Sequence, residues 1–297
     1  MSILSNSESE IGAAPPRGAA LSLRAAAFGG SPAHIPSGTT SVLQEHWLRA
    51  VALGGQGRYS AARAELALVT RSGSRGVWAS LAESTRASLL RQLGWHRAAA
   101  VHDGRALAAV AGMDAGARGS DRVAEARCDA LTGLAADALG RGRLAQARRL
   151  LECCSETLAG SRPGCHGLQG KDGLLRQRIR LSWVTAETAL ASGDFETARV
   201  FAARGAADSD TFGSVRHQVK SDLLRAAALT DAADLTPALE LAVDVCDRAA
   251  VHGLIPLRWA ASMLLVGLGA GADAERVRNE CATAVERGGG HFTTIRP

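Results

Sequence analysis

The chain is poor in aromatic residues: Phe, Trp and Tyr make up 4% of its 297 residues. Lysine is confined to Lys171 and Lys220, so arginine carries nearly all of the positive charge behind a net +5. Long runs of Val, Ile, Tyr and Thr, the usual material of strands, are missing. No dense basic cluster interleaves with aromatics. The arginines are spread among Asp and Glu, a pattern of solvated helix faces that argues against nucleic acid as a partner. The longest apolar run, Ala260 to Ala272, is too short and Gly-rich to span a bilayer, and Arg24 interrupts the weakly apolar stretch 19–28. The expected location is therefore the cytoplasm of a bacterium-like cell, without a membrane span.

The six cysteines have no regular spacing, which argues against a disulfide framework. Cys153-Cys154 and Cys165-His166 invite a metal reading. However, neighbouring residues on a helix diverge by about 100°, so adjacent thiols face different ways. Cys154 and Cys246 also fall at apolar packing positions. No phosphate loop, dinucleotide fingerprint, His-Glu-x-x-His or Gly-x-Ser-x-Gly is present. The reading is of a protein that is not an enzyme and carries no cofactor or metal.

What the chain has in quantity is alanine, the strongest helix former and the side chain that lets helices approach closely. An all-α fold follows. Residues 1–40, with Pro15, Pro16, Pro32 and Pro36, are expected to form a disordered head. From Ser41 onward a repeat emerges: a Gly, a bulky residue two positions later, then an Ala three further on. The instances are Gly57-Tyr59-Ala62, Gly94-His96-Ala99, Gly142-Leu144-Ala147 and Gly193-Phe195-Ala198. In a fifth, Ala233-Leu235-Ala238, Ala replaces the Gly. Each set reads as a tight turn between antiparallel helices, with Gly supplying a positive φ. Seven residues before each turn stands another small residue: Ala50, Ala87, Ala135, Ala186 and Ala226. A sixth, irregular pair is expected from Pro256 to about Arg287, joined near Gly269–Gly271 and acting as a cap.

This pattern resembles the tetratricopeptide repeat over about residues 41–250. The turn markers lie 37, 48, 51 and 40 residues apart rather than the family's thirty-four, and the usual closing Pro is missing. The resemblance implies an all-α, right-handed α-α superhelix of about six antiparallel helix pairs over 41–287, with a flexible tail at 288–297. It also implies a concave groove lined by the first helix of each pair, where a partner segment binds.

On that register the groove would hold Trp47, Arg91, Asp129, Arg180, Trp183, Glu187 and Lys220, together with Gln44, Ser84, Ser88 and Thr132. Aromatic anchors and basic clamps of this kind suit a peptide or a carboxylate. Equally, Trp47 and Trp183 could belong to the core. Arg49, Arg86 and Arg225 occupy one repeat position, just before the packing Ala. They could form a row that reads acidic groups, or each could pair with a nearby acid. The implied function is a protein-interaction scaffold or adaptor; the alternative is the sensor module of a transcription or signalling system.

Overall fold

A computed structural model describes residues 23–35, 42–71, 73, 75–113, 120–160 and 173–293. These form thirteen helices, with no strand among the described residues. A short α1 (Leu23–Phe28) precedes six pairs. The pairs are α2 (Leu43–Gly55) with α3 (Tyr59–Arg71), α4 (Val77–Arg91) with α5 (His96–Ala109), and α6 (Ser120–Leu139) with α7 (Leu144–Ala159). They continue with α8 (Leu175–Ala191) and α9 (Phe195–Phe212), α10 (Val215–Ala227) and α11 (Thr236–Val251), and α12 (Ile255–Gly267) and α13 (Ala272–Arg287). No helix among the described residues is long and apolar enough to cross a membrane.

The turns follow the sequence pattern. Gly57, Gly94, Gly142 and Gly193 all have φ between 71° and 85°. After each, the next residue's N–H reaches back to the carbonyl four residues before the glycine: Arg58 to Leu53, Trp95 to Leu90, Arg143 to Ala138 and Asp194 to Ala189, at 2.9–3.0 Å. This bond satisfies a carbonyl that the helix end leaves without a partner. The fifth link differs. Ala233 has no left-handed φ, since only glycines do among the described residues. An L side chain is strained there, so the chain takes a longer path from Ala228 to Leu235. Pro237 stands in the first turn of α11, where its missing N–H costs little.

Both alanine positions are buried completely. Ala50, Ala87, Ala135, Ala186 and Ala226 on the first helices, and Ala62, Ala99, Ala147, Ala198 and Ala238 on the second, are all 0% exposed. Each first helix packs on its own second helix and on the first helix of the next pair, while second helices touch only first helices to any extent. The inner row is therefore close and the outer row fanned, which curves the array. The curve carries the ends together, so that α12 meets α2.

The closure overturns two expectations. The head expected to be disordered over 1–40 contains a docked segment. Phe28 of α1 is buried against Trp47, Val215 N–H donates to Gly29 O, and Gln56 Nε2 donates to Pro32 O at 2.8 Å. The tail expected to be flexible over 288–297 is tied to the first two pairs through Thr293. Ser60 N–H donates to Gly288 O at 2.8 Å, Trp95 Nε1 to His291 O at 2.7 Å, and Thr293 N–H to Leu93 O at 2.8 Å. Tyr59 and Val285 leave no room for a Cβ at residue 290, so glycine there lets the backbone lie against them. Residues 1–22, 36–41 and 294–297, Cys165-His166 and most of the 111–120 and 160–173 connectors lie outside the described residues.

Two substitutions separate turn strain from helix crossing. Nothing lies within 4 Å of a Cβ built on Gly142, whose φ is +71°. Gly142→Ala should therefore cost only the backbone strain, about 1–2 kcal/mol. Ala186→Leu must force α8 away from α9 and should cost about 1–3 kcal/mol. Urea unfolding midpoints check both.

Candidate functional site

Counting back from the turn marker aligns the first helices. Seventeen residues before it stand Val77, Glu125, Arg176 and Arg216; thirteen before it stand Gln44, Leu81, Asp129, Arg180 and Lys220. The two positions are one helical turn apart and share the inner face. Three consecutive helices thus present two acids (α6), two arginines (α8), then an arginine and a lysine (α10).

The acids of α6 meet the arginines of α8. Arg176 Nη2 bonds Asp129 Oδ2 and lies 3.4 Å from Glu125 Oε1. Arg180 Nε is 3.2 Å from Asp129 Oδ1, but off the direction of a hydrogen bond, so that contact is Coulombic. Between α8 and α10 the neighbours are alike in charge. Lys220 reaches past Arg180 to Glu187 at 2.6 Å. Arg216 donates to Val51 O at 3.1 Å and has no carboxylate partner among the described residues. Burial, and then the charges of Arg176 and Arg180, push the Arg216 guanidinium down to about 10. Burial first, with Arg216, Arg176 and Arg180 adding to it, holds His217 well below its ordinary value. The neutral His217 ring stacks on Trp183, with centroids 5.2 Å apart, and Nδ1 contacts Ser214 Oγ at 2.8 Å.

A second polar cluster is set deeper. Nine residues after the turn, four pairs have Leu66, Leu151, Ala202 and Ala242 in the core; the α4/α5 pair has Asp103. Five before the turn, the others have Ala52, Leu89, Thr188 and Ala228; the α6/α7 pair has Asp137. Arg91 bonds both acids, with Nε to Asp137 Oδ1 at 2.8 Å and Nη2 to Asp103 Oδ2. His96 Nδ1 lies 3.4 Å from Asp137 Oδ1. Gly133 of α6 and Gly140 just after it make the room, since a Cβ would strike the Asp103 carboxylate and the His96 ring respectively. Burial raises Asp103 above the ordinary carboxylate range; the charge of Asp137 adds to this and that of Arg91 opposes it.

The two clusters flank an inner cleft of about 420 Å³. Arg91, Thr132, Arg180, Trp183, Glu187 and Lys220 line it, so five of the seven groove residues expected from sequence come together here. Trp259, Leu257 and Pro256 of α12 close the far side. Ser88, Gln92, Arg180 and Arg216 also line an adjoining chamber of about 50 Å³ under α1, whose walls include Phe28, Asp129 and Arg176.

Two expected groove residues are placed differently. Trp47 is 2% exposed, sits between Phe28 and Trp78, and donates to Thr85 Oγ1. Because α1 covers it, Trp47 packs in the core, and it lines the small chamber rather than the cleft. Asp129 is buried between Arg176 and Arg180, in the chamber rather than the cleft. The positions Arg49, Arg86 and Arg225 have acids nearby, Glu65 at 3.6 Å, Glu83 at 3.9 Å and Asp222 at 3.0 Å, and none lines the cleft. Arg176, Arg216, His217, Asp103 and Asp137 were not foreseen; the register count would have found the arginines.

Cys153 is exposed and Cys154 buried, as divergent neighbours on a helix should be. Cys154 faces Cys128, and that hydrogen bond, with burial, pushes the Cys128 thiol up. No metal-holding group of three or more His, Cys, Asp or Glu occurs among the described residues.

Arg91→Leu leaves two buried carboxylates without their cation and should destabilise by about 3–5 kcal/mol in denaturant titrations. His217 has a depressed folded pKa, so its contribution is present above the unfolded value of about 6.5 and is lost as pH falls below it. The stability of His217→Gln should therefore fall less than that of the unsubstituted protein between about pH 7 and 5, as measured by melting temperature. The chain matches no protein-family model and no curated protein, so the site is read from its own chemistry.

Proposed function

We propose that the chain is a binding module that receives a short partner segment in the inner cleft. The observation that carries this reading is the make-up of the cleft. First helices from separate pairs supply Arg91, Arg180, Arg216 and Lys220 against a single lining carboxylate, Glu187, with Trp183 and Trp259 as apolar walls. Clefts of this size with a few convergent polar groups are typical ligand sites. Binding is favoured over catalysis because the nearby acids are engaged. Glu187 is held by Lys220, Asp137 by Arg91, and Asp129 by Arg176 and Arg180. A carboxylate pinned by a cation is a weak general base.

The same proposal includes a tetratricopeptide-like, right-handed superhelix working in the cytoplasm. The turn glycines and buried alanine pairs support the kinship. The reading as a sensor module remains an application of the same cleft.

Selection of a displayed random peptide library on the purified protein tests the reading. A consensus should emerge whose synthetic peptide binds in fluorescence anisotropy and weakens in Lys220→Ala and Trp259→Ala, both of which keep the helical circular dichroism of the unsubstituted protein. Absence of enrichment, or enrichment indifferent to both substitutions, would contradict it.

A further inference from the structure

We propose that the ligand of the inner cleft carries a carboxylate, seated in the small chamber between Arg180 and Arg216, with an apolar body lying against Trp183 and Trp259. This rests on the reading of the cleft as a binding site and names the chemistry that the site selects.

The register supplies the first argument. The α6–α8 contact pairs acids with arginines, whereas the α8–α10 contact sets Arg176 and Arg180 beside Arg216. Three guanidinium groups gather around the chamber; Glu125 and Asp129 pair with Arg176 and Arg180, and Arg216 has no carboxylate partner among the described residues.

Helix ends supply the second. Arg176 and Arg216 stand in the first turns of α8 and α10, neither of which has an acidic residue there. The N-terminal end of a helix dipole is itself positive, so both arginines add to a field that already favours an anion. The N-cap residues Leu174 and Ser214 make no side-chain capping bond.

Unused donors supply the third. Arg176 is 5% exposed, and its Nε finds no hydrogen-bond partner among the described residues; the Nε of Arg180 likewise makes none there. Guanidinium forks match a carboxylate with two parallel bonds. The chamber, at about 50 Å³, has room for a small anionic head group. Arg216, the one chamber arginine without a carboxylate partner among the described residues, matches the single charge of a carboxylate. Because Ser88, Gln92, Arg180 and Arg216 line both spaces, a ligand can place its head in the chamber and its body in the cleft. There Leu139, Val184 and Leu257 join the two tryptophans as apolar wall.

The carboxylate can belong to a free organic acid or to a protein segment. Calorimetric titration in chloride-free buffer should compare 3-phenylpropionate with 3-phenylpropionamide, and acetyl-Leu-Leu-Phe with its C-terminal amide. Each acid is expected to bind at least about ten-fold more tightly than its amide, the usual size of a charge-assisted pair. Arg216→Gln should erase the preference. Gly55→Asp provides an independent check. A Cβ on Gly55 would lie 3.1 Å from Arg216 Nη1, so an aspartate there supplies Arg216 with a carboxylate from within. Its melting temperature should rise while acid binding disappears.

Equal affinity of acids and amides, or acid binding untouched by Arg216→Gln, overturns the inference. If library peptides bind without an acidic preference, the inference fails and the binding-module reading stands. If 3-phenylpropionate binds and no peptide does, the inference stands and the partner-segment reading fails.

Discussion

The separation between paired helices is the constraint on which the rest of the structure depends. Alanine at both crossing positions of five successive pairs, with every one fully buried, keeps the helices as close as side chains allow. Close pairs joined by glycine turns stack with their first helices touching and their second helices fanned. Curvature follows, and six pairs suffice to bring α12 to α2. The C-terminal glycines then fasten the last pair to the first, and Val285 of α13 enters the same apolar cluster as Tyr59 and Leu66. Without closure, the inner faces would form an open trough; with it, they enclose a cleft with α12 as a wall.

Enclosure changes the worth of the charges within. Burying an ion costs several kcal/mol unless a partner and hydrogen bonds offset it. Arg91 with Asp103 and Asp137, and Arg176 with Asp129 and Glu125, meet that condition. Arg216 does not, and it lies next to two other arginines. Uncharged residues fill the equivalents of Asp103 and Asp137 in the other pairs, so the helix-pair fold does not require these acids. Buried charge that the architecture does not need is a reasonable sign of a site. The neutral His217 fits the same picture, since a proton there would add a fourth positive charge beside Arg176, Arg180 and Arg216.

What could be read from sequence was local. Turn glycines, crossing alanines and helix bounds depend on residues within about one pair, and the alanine positions proved fully buried. Five cleft residues also followed from register alone. Closure was not legible, because its contacts join residues such as Arg63 and Gly289, or Trp95 and His291, that lie far apart in the chain. The choice between groove and core for Trp47 was not legible for the same reason: nothing near it in sequence announces that Phe28 covers it. Asp103 looked like an ordinary polar residue on an amphipathic helix, and only the opposing Gly133 shows that it points into the core.

The central claim is that Arg216, which has no carboxylate partner among the described residues, binds an anion in the chamber under α1. Anomalous diffraction from crystals grown in sodium bromide tests it most directly, since bromide is a monoanion small enough to enter. The account predicts a strong anomalous peak between the guanidinium groups of Arg180 and Arg216. Bromide peaks at surface arginines with none in the chamber would contradict it.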